Sequence, residues 1–300
     1  MRGFDKMTTK LINPSAMSYV DLLSYIEEVN RCPGGKRTIN NIVSKSLLSD
    51  DAQVLEIGSN TGFTSIEIAK LKNCKVIGID VNPQAVEKSM YLLSKEPKSI
   101  QDRVSFRVGD AANLNFDDNQ FDLVVTGGAN TFIPENDREK ALSEYRRVLK
   151  PYGMLSVTNL FYHDTVPKEV LTNLRNVLGF EVKPWTKYYW LDLLLKSGLE
   201  LYSYDETEMQ ARSSEVLNQF TSKLIDDSPA LANFDDEVKS NFKDRWFEIM
   251  NVFNENHRYL SFMTVLLRNQ YVTEQQELFL EKDTIDPWNL KGQFLWEVDK

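Results

Sequence analysis

Five short apolar runs alternate with helical patterns through the first half of the chain, and this alternation restricts the fold more than any other feature. The runs are AQVLEI (Ala52–Ile57), CKVIGID (Cys74–Asp80), VSFRV (Val104–Val108), FDLVVT (Phe121–Thr126) and GMLSVTNL (Gly153–Leu160). Most are rich in β-branched or aromatic residues, as strands are. Between them, TGFTSIEIAKLKN sets Phe63, Ile66 and Ala69 at helical spacing, with Ile68 and Leu71 widening the apolar face. NPQAVEKSMYLLSK and NDREKALSEYRRVLK read likewise, the second stopped by KPYG. Such alternation implies right-handed βαβ units. The expectation is an α/β fold: a doubly wound, mostly parallel seven-stranded sheet with helices on both faces.

The pattern then changes. WTKYYWLDLLLKSG reads as a helix and LELYSYDE as a strand, followed by a helical cap inserted before the last strand, YLSFMTVLL (Tyr259–Leu267). In the cap, Val216, Phe220 and Leu224 form one apolar stripe, and Phe242, Trp246, Met250 and Phe253 a second. The tail is charged and irregular, with Trp288 and Trp296 as docking points.

Composition narrows the function. A net charge of -9 argues against a broad phosphate-tracking surface, so nucleic acid is a poor partner. His163 and His257 are the only histidines, which removes any site of three histidine ligands; no metal is expected. Cys32 and Cys74 fit no disulfide or metal spacing, a usage that favours a reduced, cytoplasmic protein. No run is long enough for a membrane span, and the N-terminus has no secretory apolar region.

The chemistry concentrates in EIGSNTG (Glu56–Gly62). A strand ending in a glycine turn that feeds a helix brings backbone N–H groups close to a ligand. Aligning Gly58 with the first glycine of a G-x-G-x-x-G fingerprint puts Asn60 second and Phe63 third, so the dinucleotide pattern fails twice. Glu56 is also out of place beside a pyrophosphate.

VLEIGSNTGFTSIEIA instead resembles the first motif, E/D-x-G-x-G-x-G, of the class I S-adenosylmethionine-dependent methyltransferases. Their ligand is cationic at its amine and sulfonium, which suits an acid at Glu56. Asn60 departs from the pattern, although asparagine tolerates a positive φ better than other side chains. VIGIDVNPQAV ends in Asp80, where the family grips the ribose hydroxyls, and RVGDAANL sets Asp110 and Ala111 where it recognises adenine. LSEYRRVLKPYGMLSVTNL resembles its helix–turn–strand unit. The resemblance covers about Asp51 to Leu160. It implies S-adenosyl-L-methionine as cofactor, held by Glu56, Gly58, Asn60, Gly62, Asp80, Asp110, Ala111 and Gly127.

The implied domains are an N-terminal helical lid (1–50), a Rossmann-like core (51–208), the cap (209–256), a final core strand (257–267) and a C-terminal extension (268–300). Transfer from a sulfonium asks the protein mainly to align the acceptor and exclude water. His163, just past the fifth strand, is the candidate general base. Tyr162, Tyr188 and Tyr189 are candidate substrate contacts. Arg31, Lys36 or Arg37 could face the cofactor carboxylate or an anionic substrate. The leading expectation is a small, partly apolar acceptor methylated on O, N or C, resembling the quinone-biosynthesis and natural-product branches. The alternatives are a protein or RNA methyltransferase and a non-catalytic cofactor-binding interaction protein. A homo-oligomer is left open.

Overall fold

The computed structural model describes residues 13–17, 19, 22, 26 and 32–270. Trp288, Trp296, Arg31 and most of the residues before 32 lie outside the described residues.

Seven strands form one sheet: β1 Gln53–Ile57, β2 Lys75–Asp80, β3 Val104–Val108, β4 Phe121–Thr126, β5 Leu149–Tyr162, β6 Glu200–Glu208 and β7 Leu260–Arg268, in the order β3-β2-β1-β4-β5-β7-β6. The four pairs from β3 to β5 are parallel. β7 runs antiparallel to both neighbours, as the links Tyr152–Asn269 and His163–Tyr259 to β5 and Met209–Leu260 to β6 require. The sheet is therefore mixed, and the expectation of a mostly parallel sheet holds only for its β3–β5 half. The physical reason is the insertion of β7 between β5 and β6, which reverses direction locally. β1 lies in the parallel half, and Val54, Leu55, Glu56 and Ile57 are all buried there, as a strand covered on both faces demands.

Chain topology places the helices of the sheet-bearing unit. α1 Lys36–Lys45, α2 Phe63–Leu71, α3 Pro83–Leu93 and the short α4 Lys98–Gln101 come from the segments before β3, and α5 Glu135–Val148 and α7 Lys187–Leu195 from segments after β4. One core cluster joins Ile39, Ile42, Ile66 and Ile68 to Val54 and Val76. The other joins Tyr145, Val148, Trp190 and Leu194 to Leu55, Val124 and Val157. These helices start where local chemistry directs. Asn82 accepts the Gln84 N–H ahead of Pro83, and Gly62, at φ 85°, caps α2. KPYG proves to lie inside β5, with a register shift between Phe121 and Leu123 where the strand bulges.

A second compact unit gathers residues 1–29, 162–184 and 208–261, and the sheet-bearing unit comprises 30–161, 185–207 and 262–300. The second unit carries α6 Lys168–Leu178, α8 Ser214–Asp226 and α9 Asp236–Asn256. Its core joins Leu22 and Ile26 to Ile225, Leu231, Phe242, Trp246 and Ile249. The stripe expected in α8 is corrected: Val216 and Phe220 are 47% and 51% exposed, while Leu217, Thr221 and Ile225 are buried. Threonine at position 221 completes the inward face, and hydropathy alone passes over it.

Candidate functional site

The glycine loop follows β1 at the C-terminal edge of the parallel strands. Strand order reverses between β1 and β4, and this switch point is where doubly wound sheets leave a crevice for ligands. Gly58 sits at φ +69, and a Cβ there would stand 2.4 Å from the Cβ of Ala129 in the turn after β4. Gly62 is equally constrained, because its Cβ would meet the Phe106 ring at 2.5 Å. Asn60 adopts φ 45°, the left-handed conformation that asparagine tolerates. Asparagine in the middle of the loop thus preserves the turn.

Asp80 organises the loop from the end of β2. Its Oδ2 accepts the Asn60 N–H at 2.9 Å and its Oδ1 accepts the Asn82 N–H at 2.9 Å. A carboxylate has lone pairs beyond those two bonds, so it can still accept from a diol. Asp110 accepts the Ala112 N–H at 2.9 Å in the turn after β3, and Ala111 is buried beside it.

Glu56 is 3% exposed, and its Oε2 accepts both the N–H (2.9 Å) and the hydroxyl of Ser65. Burial pushes its carboxyl up to about 7, against the lowering effect of the Ser65 and Thr64 hydrogen bonds. Above that pH the site holds a desolvated negative charge that a ligand cation would offset.

Cys32 and Thr64 complete this corner, and neither was anticipated from the sequence. A Cβ on Gly127 would lie 3.0 Å from the Cys32 Cβ and 4.0 Å from the Thr64 Oγ1. Burial holds the Cys32 thiol protonated, pushed up to about 11, with Glu56 adding to the effect and the Thr64 hydrogen bond opposing it. The contact joins residues nearly a hundred positions apart, so no local signal points to it. Lys36 is tied to Glu67 at 2.9 Å on the surface and Arg37 is exposed.

The remaining candidates fall in two places. Tyr188 and Tyr189 pack on the sheet core from α7, and the Tyr189 hydroxyl accepts from buried Arg138 at 2.7 Å while its ring stacks on Trp185. Arg138 also donates to the Ile133 and Thr131 carbonyls, bracing the segment after β4. His163 and Tyr162 belong to the second unit. His163 is exposed, with Nδ1 2.9 Å from the Ser261 hydroxyl. Tyr162 is buried, donates to Asn256 Oδ1 at 2.9 Å, and has its phenol pushed up to about 12 by burial.

Two loop hydroxyls, Ser59 Oγ and Thr61 Oγ1, are buried without a hydrogen-bond partner among the described residues. With the cradle at Gly58 and the buried acid at Glu56, they fit a polar, partly cationic ligand. The described residues contain no cluster of three metal-ligating side chains, and no helix among them is long and apolar enough to cross a membrane.

Fold and loop together define a doubly wound α/β protein with a nucleoside-type site at its switch point. Comparison with known proteins sharpens the class. Residues 54–153 match the family model described as a methyltransferase domain. A Haemophilus influenzae protein described only as uncharacterized is 27% identical over 235 residues, 78% of this chain and 90% of that one. Sterol 24-C-methyltransferase erg6 of Aspergillus fumigatus is 29% identical over 135 residues, and the match spans 45% of this chain but only 35% of the sterol enzyme. Among solved structures, MccD protein superposes with a TM-score of 0.68 at 25% identity, covering 80% of this chain and 99% of MccD. Haemonchus contortus phosphoethanolamine N-methyltransferase 2, solved with S-adenosyl-L-methionine, shares the fold at a TM-score of 0.63 and 18% identity, over 84% of this chain and 57% of its own. Residues 54–153 thus carry a methyltransferase domain, and the fold around it is shared with a methyltransferase solved with S-adenosyl-L-methionine, the cofactor that such a domain takes.

Proposed function

We propose that this protein transfers the methyl group of S-adenosylmethionine to a small, partly apolar molecule. The observation that carries the reading is the glycine loop itself: Gly58 pressed against Ala129, Asp80 holding Asn60, and Glu56 buried behind them. The cofactor supplies a methyl already activated by its sulfonium. In this reading Glu56 holds the amine, Asp80 the ribose hydroxyls, and Asp110 with Ala111 the adenine. Gly58, Asn60, Gly62 and Gly127 let the backbone approach.

On the acceptor side, His163 is the base: Ser261 fixes its ring through Nδ1, and Nε2 takes the proton of a hydroxyl or amine. Within the sheet-bearing unit, the Tyr189 hydroxyl is engaged by Arg138, so Tyr188 and Tyr189 would meet an acceptor through their rings. A small acceptor is supported by relatives whose names specify sterol and phosphoethanolamine methylation. It is also supported by the net charge of -9, which disfavours RNA.

The test is incubation with methyl-labelled S-adenosylmethionine and cell extract, followed by separation of small molecules, protein and RNA. Label in an organic-extractable small molecule is the expected result. Label confined to protein or RNA would overturn the substrate class, and labelling of no fraction would favour a binding protein.

A further inference from the structure

Asn159 has no role in the cofactor site described above, yet it is the most anomalous polar group in the sheet. It is 0% exposed, and neither its Nδ2 nor its Oδ1 finds a hydrogen-bond partner among the described residues. Register fixes its place. Thr126 of β4 stands opposite Val157 of β5, so Asn159 lies level with Gly128, just past the end of β4. Thr158 pairs its hydroxyl with Thr264 of β7 at 3.4 Å on one face. By the alternation of strand side chains, Asn159 points to the other face with Val157 and Phe161. That face belongs to the apolar cluster containing Met263, Tyr145 and Trp190. Trp190 is itself 0% exposed, with its Nε1 donor also unpartnered.

A carboxamide buried among apolar groups without partners is destabilising relative to a satisfied one. Leucine would fill the same space without that cost. The position also lies in the C-terminal part of β5, three residues before its last, level with the turn after β4. An unsatisfied amide here lacks a partner that a ligand bound beside it would supply.

We propose that Asn159 is the polar contact for the methyl acceptor. It would take a group that both donates and accepts a hydrogen bond, such as a hydroxyl, a carboxylic acid or an amide on an otherwise apolar molecule. The inference rests on the methyl-transfer reading and deepens it. Entry requires the segment after β4 to move, and the adjacent pair Gly127–Gly128 places the bend there. Gly128 is at φ +107, with only the Thr158 carbonyl near its missing Cβ, at 3.8 Å.

The test compares wild type, Asn159→Leu and Asn159→Ser by thermal melting, by calorimetric binding of S-adenosylhomocysteine, and by methyl transfer into the small-molecule fraction of extract. The leucine variant is expected to melt no lower than wild type and to bind S-adenosylhomocysteine within about twofold. Its labelling of small molecules should fall by about tenfold or more. If leucine prevents folding, the serine variant carries the same expectation with a smaller loss. Unchanged transfer would make Asn159 a core residue and overturn the proposal. A parallel loss of S-adenosylhomocysteine affinity would place it on the cofactor side, also overturning it. Failure of wild type to bind S-adenosylhomocysteine at all would instead bring down the methyl-transfer reading, and this proposal with it.

Discussion

Replacing Glu56 by glutamine should stabilise the ligand-free protein, and by an amount that depends on pH. In the unfolded chain this carboxyl titrates near its ordinary 4.5, whereas burial raises it to about 7 in the fold. Between those values the folded state holds the proton and the unfolded state has lost it. Stability therefore falls as pH rises from about 4.5 to about 7, and above 7 the whole penalty stands. At about 1.36 kcal/mol per pH unit the displacement amounts to roughly 3 kcal/mol. Glutamine keeps an oxygen to accept the Ser65 N–H and never ionises, so the variant escapes the fall. Urea unfolding at pH 5, 6, 7 and 8 measures it. The advantage of Glu56→Gln should be small at pH 5, grow through pH 6 and 7, and level off by pH 8. A difference constant across pH, or a variant less stable than wild type at pH 8, would refute the claim that Glu56 carries an uncompensated charge in the fold.

Three further substitutions probe other parts of the machinery. Gly58→Ala forces a Cβ to 2.4 Å from Ala129 at a φ of +69, so it should cost about 1–3 kcal/mol in unfolding and abolish S-adenosylhomocysteine binding by calorimetry. Asp80→Ala removes the acceptor for the Asn60 and Asn82 N–H groups as well as the proposed ribose contact; the dissociation constant for S-adenosylhomocysteine should rise by about 10- to 100-fold, and the melting temperature should fall by roughly a few degrees. His163→Ala should lower methyl transfer by about 10²- to 10⁴-fold while leaving S-adenosylhomocysteine binding intact, and an unaltered rate would remove the histidine from the reaction.

The parallel half of the sheet was readable because its strands carry their burial in composition. VSFRV and FDLVVT coincide with β3 and β4, and EIGSNTG opens the site where the chain's own φ angles require glycine or asparagine. Other features depend on partners distant in sequence. One helix, KEVLTNLRNVL, goes unread although its own Val170 and Leu174 keep helical spacing and Gly179 closes it in the left-handed conformation. Val216 and Phe220 were read as inward from hydropathy, yet only packing decides which side of α8 is covered. Cys32 reaches Gly127 through tertiary folding alone. Asn159 sits in an ordinary strand alternation, and nothing in VTNLF indicates that its amide will be left without partners.

The position of β7 carries a consequence for how the protein is made. This strand, Leu260–Arg268, is buried along nearly its whole length and sits between β5 and β6, both of which leave the ribosome long before it does. Until residue 268 has emerged, the edge of β5 has no neighbour and β6 has nothing to pair with. The nascent chain must therefore carry an open, apolar sheet margin through the synthesis of the entire α8–α9 segment, a span in which a stalled or truncated product is an aggregation hazard and a client for chaperones.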